Sequence, residues 1–239
     1  MPAGSSDRPP VLRIRDLCKS FTLHLRDAHR LDVLHQVSLD VSAGECVALV
    51  GRSGRGKSTM IKCLYGSYGA TSGEMRLSLA DGQSVDLASA GPREWLSLRR
   101  RDISYVSQFL RTVPRVSALD VVAERRWAAE ETRPPPIETA REEARRLLTR
   151  LNLPEPLWHL PPATFSGGEQ QRVNIARGFI VPARLLLLDE PTASLDAFNR
   201  NQVVELIHEA KAAGVAVVGI FHDEEVRAAV ADRQMALAA

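Results

Sequence analysis

The sequence has 239 residues, of which 44% are hydrophobic and 25% are charged, the balance of an ordinary globular protein. Its formal net charge of +2 gives no reason to expect nucleic acid as the main partner. Cys18, Cys46 and Cys63 form no Cys-x-x-Cys pair, which argues against a disulfide framework or zinc site and favours a reducing, cytoplasmic compartment. No apolar run is long enough to cross a bilayer, so we expect no direct membrane insertion. The polar, proline-rich residues 1–10 predict a flexible N-terminus without a secretory signal.

The first part of the chain is rich in predicted β structure. Alternating apolar residues at 11–15 and 33–41 are typical of an antiparallel pair of strands. Two further short strands are predicted at 74–79 and 84–87, joined by a turn at residues 81–82. These four stretches predict a β-rich lobe.

A phosphate-binding loop follows a buried strand predicted at 47–50. Its spacing is Gly-x4-Gly-Lys-Ser, and a helix is expected to begin at Lys57. Glycines let the backbone N–H groups approach a polyphosphate, and the positive end of the helix adds partial charge. Lys57 can reach the β- and γ-phosphates, and the Ser58 hydroxyl can ligate Mg²⁺. The nucleotide-binding residues predicted here are Gly51, Arg52, Ser53, Gly54, Arg55, Gly56, Lys57, Ser58 and Thr59.

The middle of the chain changes from strand to helix patterns. A strand predicted at 103–107 delivers Gln108, and helical signals then run from 116 to 153, interrupted by three prolines at 134–136. We read the run of three arginines at 99–101 as a solvated helix face. The pattern predicts a helical subdomain, at about 108–164, inserted into the nucleotide-binding fold.

Candidate catalytic side chains follow two later apolar runs. The run at 185–188 predicts a buried parallel strand that presents Asp189 and Glu190 at its carboxyl end, where α/β sheets bind ligands. Asp189 is a candidate to hold Mg²⁺ directly or through water, and Glu190 is a candidate base for the attacking water. A helix ending near Gly214 precedes a strand at 215–221 that delivers His222.

A glycine pair occupies the first turn of another predicted helix. Ser166 and Glu169 have the spacing of a capping box, in which the serine caps the helix and the glutamate reaches back. Gly167 and Gly168 are costly there if capping is the only purpose. They are expected where a phosphate approaches the backbone of a helix N-terminus.

This Ser-Gly-Gly motif, between a phosphate loop and Leu-Leu-Leu-Leu-Asp-Glu-Pro, resembles the signature of ATP-binding cassette (ABC) ATPases. Other landmarks of that family occur in order over about residues 11–237. Phe21 matches the adenine-stacking aromatic, Gln108 the glutamine loop, Asp196 the D-loop, and His222 the switch histidine that contacts the γ-phosphate. Phe165 and Glu169 replace the family's usual leucine and glutamine, which we interpret as variation within the family.

The resemblance implies an α/β P-loop NTPase domain over residues 11–239, with an antiparallel β subdomain and the inserted helical subdomain. It implies ATP hydrolysis with Mg²⁺, with Glu190 and His222 as catalytic residues. It also implies a head-to-tail dimer in which each ATP lies between the phosphate loop of one subunit and residues 166–169 of the other. The remaining nucleotide and metal positions implied are Phe21, Gln108, Ser166, Gly167, Gly168, Glu169 and Asp196 for nucleotide, and Ser58, Gln108 and Asp189 for metal.

A narrower resemblance is to the L-type ATP-binding subunit of the phosphonate carbon–phosphorus (C–P) lyase system, carried by residues 107–111, 114–119, 147–153, 157–160, 164–180 and 219–223. It implies a soluble C–P lyase core complex as partner. Two other functions stay open: the motor of a membrane transporter, and an ATP-gated assembly factor with little turnover. Phe109, Leu110 and Val113 are candidates to line a docking groove, which a membrane helix or a soluble enzyme would fill.

Overall fold

The computed structural model describes residues 10–23, 29–111, 114–130 and 133–237. Residues 1–9, most of the predicted flexible N-terminus, lie outside the described residues, and Pro10 already begins the first strand. The strands are β1 (Pro10–Leu23), β2 (His29–Ser42), β3 (Cys46–Val50), β4 (Ser72–Ser78), β5 (Ser84–Asp86), β6 (Ile103–Val106), β7 (Leu185–Asp189), β8 (Ala216–Ile220) and β9 (Arg233–Ala236). The helices are α1 (Lys57–Leu64), α2 (Pro92–Arg101), α3 (Ala118–Trp127), α4 (Ile137–Arg150), α5 (Gly167–Phe179), α6 (Ala197–Ala212) and α7 (Glu224–Val230).

A parallel sheet in the order β6-β7-β8-β3-β9 forms the centre of the molecule. β7 and β8 are buried along their whole length, as expected for apolar runs in a sheet covered on both faces. The carboxyl ends of β3, β6, β7 and β8 lead to Gly51, Gln108, Glu190 and His222 respectively. Parallel strands bring these four segments to one edge of the sheet, which is where such sheets bind ligands.

The two faces of the central sheet belong to two different hydrophobic clusters. On β7, Leu186 and Leu188 pack with the cluster that contains α3, α5 and α6 residues. Leu185 and Leu187 pack with the other cluster, which contains α1 and the residues of β1, β2 and β4. Because successive strand side chains point to opposite faces, the four leucines join the helical side of the molecule to its β side.

The β-rich lobe is a four-stranded antiparallel sheet in the order β2-β1-β4-β5. Its first two strands are 14 residues each, longer than the predicted stretches 11–15 and 33–41. The alternation fails partway because the pairing contains irregular registers, and Asp16 and Gln36 adopt positive φ angles of 48° and 47°. The predicted turn before β5 is confirmed, with Gly82 N–H donating to Leu79 O at 3.2 Å.

The arginine run at 99–101 forms the last turn of α2, but Arg99 is not simply solvated. Its guanidinium donates to Tyr65 O at 2.9 Å and to Gly66 O at 2.8 Å. It also lies over the rings of Tyr65 and Trp95. The interpretation of a solvated face is therefore wrong for Arg99, because the carbonyls at the end of α1 lack helical partners and accept from a cation.

Helices α3 and α4 lie within the segment predicted as a helical subdomain and pack on each other and on α5. Ala140, Ala144 and Leu148 are the buried face of α4, as its periodicity predicts. The subdomain limits of 108 and 164 stay a prediction. Among the described residues, no helix has the length and apolar character needed to span a membrane.

Candidate nucleotide-binding site

The loop between β3 and α1 has the geometry that a bound phosphate requires. Gly56 caps α1 with a φ of 84°, and α1 has no side-chain cap and no acidic residue in its first turn. A Cβ on Gly56 would lie 2.9 Å from Val33 O, so both the φ and the packing exclude other residues there. The N-terminal N–H groups of α1 are consequently available to an anion. Arg52, Ser53, Gly54 and Arg55 of the loop are exposed.

Lys57 lies across this loop. Its Nζ donates to Gly51 O at 2.6 Å and to Arg52 O at 3.0 Å. These carbonyls hold the ammonium group over the loop. A bound phosphate oxygen is a stronger, charge-assisted partner for the ammonium group and would replace the carbonyls. Thr59, the last predicted residue of the loop, is half-buried in the first turn of α1. The loop fits a polyphosphate with Lys57 as its cation.

Ser58 and Asp189 meet at the ends of α1 and β7. The Ser58 hydroxyl donates to Asp189 Oδ1 at 3.2 Å, and Tyr105 from β6 donates to Oδ2 at 3.3 Å. Burial raises the pKa of the Asp189 carboxyl, whose residue is only 5% exposed, while the two hydroxyl donors and the ammonium groups of Lys62 and Lys57 oppose that rise. A hydroxyl and a carboxylate so placed are hard oxygen ligands of the kind that Mg²⁺ prefers.

Tyr105 is a member of the site that sequence reasoning missed. Burial, followed by the nearby Asp189 charge, raises the pKa of its phenol, so the hydroxyl keeps its proton and acts as a donor. The sequence predicted the strand but gave the tyrosine no role. Its contact depends on the register of β6 on β7, in which Tyr105 lies beside Leu187, and no local pattern reports that register.

Glu190 directly follows β7 in a left-handed conformation, with a φ of 53°. Its N–H donates to Ile220 O at 3.0 Å, so the end of β8 holds the turn in place. Its side chain is half-buried, and its carboxylate has no hydrogen-bond partner among the described residues. A strained non-glycine residue at the edge of the sheet is the arrangement often found where a side chain must point at a ligand.

Gln108 and His222 are exposed at the same edge of the sheet. The loop carrying Gln108 is tied to α5, because Asn174 Nδ2 donates to Ser107 O at 2.6 Å. His222 precedes Asp223, which caps α7 and pairs with Arg200 of α6. The structure thus anchors the backbone on one side of each residue and leaves both side chains open to solvent.

The predicted capping box at the start of α5 is confirmed. Ser166 N–H donates to Glu169 Oε2 at 2.8 Å, and Glu169 N–H donates back to Ser166 Oγ at 3.4 Å. Hydrogen bonds from Ser166 lower the pKa of the Glu169 carboxyl. A Cβ on Gly168 would lie 2.9 Å from Ser194 O, whereas one on Gly167 would meet nothing within 4 Å. Gly168 therefore has a packing reason that the sequence did not reveal, and Gly167 has none.

Asp196 and Phe21 also have structural partners. Asp196 caps α6, where its Oδ1 accepts from Asn199 N–H at 2.8 Å, a bond that lowers the pKa of the carboxyl. The Phe21 ring meets the Tyr68 ring edge-on at 5.2 Å, and Lys19 Nζ lies 4.6 Å from its centroid. Phe21 is half-exposed at the margin of the core, which leaves ring surface for a base.

A family model described as "ABC transporter" matches residues 34–193 of this chain. The chain belongs to the ABC transporter family. It is 38% identical to the lipoprotein-releasing system ATP-binding protein LolD of Shewanella denitrificans, over 85% of this chain and 83% of the relative. LolD of Bordetella pertussis is 36% identical over 96% of this chain and 94% of its own length. The macrolide export ATP-binding/permease protein MacB of Brucella melitensis is 38% identical over 91% of this chain, which spans only 32% of that relative.

A solved ABC structure has the same fold. It is a dimeric, post-hydrolysis state of an ATP-binding cassette bound to ADP and Pi, with a TM-score of 0.84, 26% identity, and coverage of 95% of this chain and 94% of that one. The predicted fold class and the predicted ATPase activity are confirmed, and ATP and Mg²⁺ are the ligands of this family. The narrower resemblance to the C–P lyase subunit receives no support, since these relatives are named for lipoprotein release and macrolide export.

Proposed function

We propose that this chain is the ATP-hydrolysing subunit of an ABC membrane transporter. The observation that carries the proposal is the match to LolD proteins over 85–96% of this chain. MacB supports the same conclusion, because its name joins an ATP-binding part to a permease and this chain matches a third of it. The transporter alternative is thus favoured over the C–P lyase assignment.

The proposed chemistry is hydrolysis of the γ-phosphate by water. Lys57 exchanges its bonds to Gly51 O and Arg52 O for phosphate oxygens, and Glu190 accepts the proton of the attacking water. Ser58 and Asp189 would hold Mg²⁺, which supplies electrostatic stabilisation of charge on the transferred phosphoryl group. Phe21 stacks on the base, and Gln108 and His222 contact the γ-phosphate side.

We infer that a second copy completes the site. The solved neighbours are dimeric cassettes, which supports a nucleotide-joined pair. In this arrangement Ser166, Gly167 and Gly168 of one subunit face the phosphates bound by the other. The exposed Asp196 then lies near the contact between the subunits. ATP joins the two subunits and its hydrolysis releases them, which makes the pair a two-state clamp.

The partner surface is proposed to lie beside Gln108. Phe109 is 73% exposed, a large apolar side chain directly after the glutamine, while Leu110 packs partly against the helical cluster. Val113, the third predicted groove residue, lies outside the described residues. An exposed aromatic next to a residue that senses nucleotide is well placed to bind a permease segment. Movement of the permease segment would be transmitted from Phe109 to Gln108, and so to the γ-phosphate side of the site, through the backbone that joins them.

The decisive experiment is affinity isolation of the tagged protein from its native host in detergent with Mg-ATP. A Glu190→Gln form should hold ATP and co-purify with an integral-membrane protein, whereas Lys57→Ala, which lacks the phosphate cation, should recover less of it. A Phe109→Ser form should retain ATP binding but lose the membrane protein. Recovery of a soluble enzyme complex with no membrane subunit would refute the transporter proposal.

The C–P lyase alternative is separated by growth on a phosphonate as the only phosphorus source. The transporter proposal predicts that a strain carrying Glu190→Gln grows normally there. Failure to grow, together with soluble lyase subunits in the isolate, would establish the alternative. The assembly-factor alternative requires that Glu190→Gln support normal function in the cell, because turnover is then dispensable.

A further inference from the structure

Tyr105 contacts the candidate metal site without any part in the chemistry proposed above. It lies on β6, beside β7, with a half-buried ring. Its hydroxyl donates to Asp189 Oδ2 at 3.3 Å. The question is what a neutral hydroxyl contributes to a buried carboxylate that must bind a cation.

The two oxygens of Asp189 each receive one hydroxyl. Ser58 donates to Oδ1 at 3.2 Å and Tyr105 to Oδ2 at 3.3 Å. In the described part of the chain these are the only hydrogen bonds to the carboxylate. The terminal torsion of an aspartate is broad and intrinsically poorly defined, so its plane must be fixed by partners on both oxygens. Without Tyr105, only Ser58 would orient the group.

Ser58 cannot fill this role alone when the site is loaded. Its oxygen is itself a candidate metal ligand, so its geometry must also satisfy the metal. Tyr105 lies on the neighbouring strand and donates to the other carboxylate oxygen, and it is not among the candidate metal ligands. The hydroxyl of Tyr105 can therefore orient Asp189 without also having to satisfy the metal.

The hydroxyl of Tyr105 is held in place by its own surroundings. The Tyr105 ring packs on Tyr65 with centroids 4.8 Å apart. Arg99 lies 4.7 Å over the Tyr65 ring and donates to Tyr65 O and Gly66 O. The stack of Arg99, Tyr65 and Tyr105 thus runs from α2 through the end of α1 to β6, and fixes where the hydroxyl lies.

We propose that Tyr105 is a positioning residue that orients the Asp189 carboxylate for Mg²⁺. The inference rests on the proposed metal role of Asp189. Metal-binding carboxylates are commonly held by such outer partners, and losing one typically weakens metal affinity about 10- to 100-fold. The effect should fall on the metal, and binding of the nucleotide itself should be spared.

The test compares Tyr105→Phe with Tyr65→Phe, which keeps the same ring stack and removes a hydroxyl that does not touch Asp189. Mn²⁺ binding is measured by electron paramagnetic resonance in the presence of a non-hydrolysable ATP analogue. Tyr105→Phe should raise the Mn²⁺ dissociation constant about tenfold or more, and Tyr65→Phe should leave it unchanged. Affinity for the analogue in EDTA should match wild type in both, which also shows that the variants are folded. Excess Mg²⁺ should restore the ATPase rate of Tyr105→Phe.

Asp189→Asn separates this inference from the proposed function. If Asp189→Asn weakens Mn²⁺ binding and Tyr105→Phe does not, the positioning role is refuted while the metal site stands. If Asp189→Asn leaves Mn²⁺ binding unchanged, the metal assignment itself fails and the positioning role fails with it. Equal weakening by Tyr105→Phe and Tyr65→Phe would show that the effect does not depend on the hydroxyl bonded to Asp189 and would also overturn the proposal.

Discussion

Replacing Glu190 should separate its chemical role from its conformational strain. Glu190→Gln keeps the size and shape of the side chain but removes the proton acceptor, and loss of a general base typically slows a reaction about 10²- to 10⁴-fold. At about 1.36 kcal/mol per tenfold, that is a barrier increase of about 3–5 kcal/mol. Because the carboxylate has no hydrogen-bond partner among the described residues, the fold should lose little.

Glu190→Gly should be equally inactive and yet not less stable. The φ of 53° at Glu190 is a left-handed conformation, which costs a residue with a Cβ about 1–2 kcal/mol. Glycine avoids that cost but loses about 0.5–1 kcal/mol through the greater freedom of the unfolded chain. The two terms leave a net stabilisation of about 0–1.5 kcal/mol, where an ordinary substitution by glycine would destabilise.

Three measurements check this reasoning. Phosphate release gives the rate, urea unfolding without nucleotide gives the stability, and size-exclusion chromatography with Mg-ATP shows whether Glu190→Gln is trapped as a dimer. A Glu190→Gln protein that is fully active and strictly monomeric would refute both the base and the clamp. A Glu190→Gly protein destabilised by about 0.5 kcal/mol or more would show that the left-handed backbone carries no strain.

The remaining predictions concern adenine stacking on Phe21, the two glycines at the start of α5 and the buried guanidinium of Arg125. Phe21→Ala should weaken ATP binding by about 1–3 kcal/mol, the value of base–aromatic stacking, without weakening free triphosphate; unchanged ATP affinity in a titration would make Phe21 a structural residue. Gly168→Ala should be less stable in thermal unfolding than Gly167→Ala, since its Cβ would lie 2.9 Å from a backbone oxygen; equal melting temperatures would contradict this. Arg125→Ala should cost about 1–3 kcal/mol in urea unfolding because buried Ile103 O and Ser104 Oγ lose their donor. Its control, Arg126→Ala, breaks partly exposed ion pairs with Glu130 and Glu143 and should cost less than Arg125→Ala, about 1 kcal/mol; a larger loss from Arg126 than from Arg125 would reverse the argument.

The sequence was most informative where a function demands special residues at fixed spacing. The glycines before Lys57 and the carboxylates after β7 are explicit in the sequence, and the parallel sheet then places them at one edge. The cap of the signature turn was predicted, but the space that excludes a Cβ at Gly168 is limited by Ser194 O, which lies far away in the sequence. The contact of Tyr105 with Asp189 was not predicted for the same reason, since it depends on the register of β6 on β7, which is a tertiary property. The resemblance to the C–P lyase subunit rested on short matching stretches, and relatives that match most of the chain do not support it.

A hydrogen bond from Asn174 to the carbonyl of Ser107 links α5 to the loop that carries Gln108. Asn174 is eight residues beyond Ser166 on the same helix, about 12 Å along its axis at about 1.5 Å per residue. Displacement of the loop at Phe109 would therefore strain this 2.6 Å hydrogen bond, and the bond would pass part of the displacement to α5. If α5 tilts, the turn that carries Gly167 and Gly168 moves with it. The turn moves in the direction opposite to Asn174 if the pivot lies between the two. In the proposed dimer this turn faces the nucleotide site of the second subunit, so displacement of the Gln108 loop in one subunit would move a part of the other subunit's site.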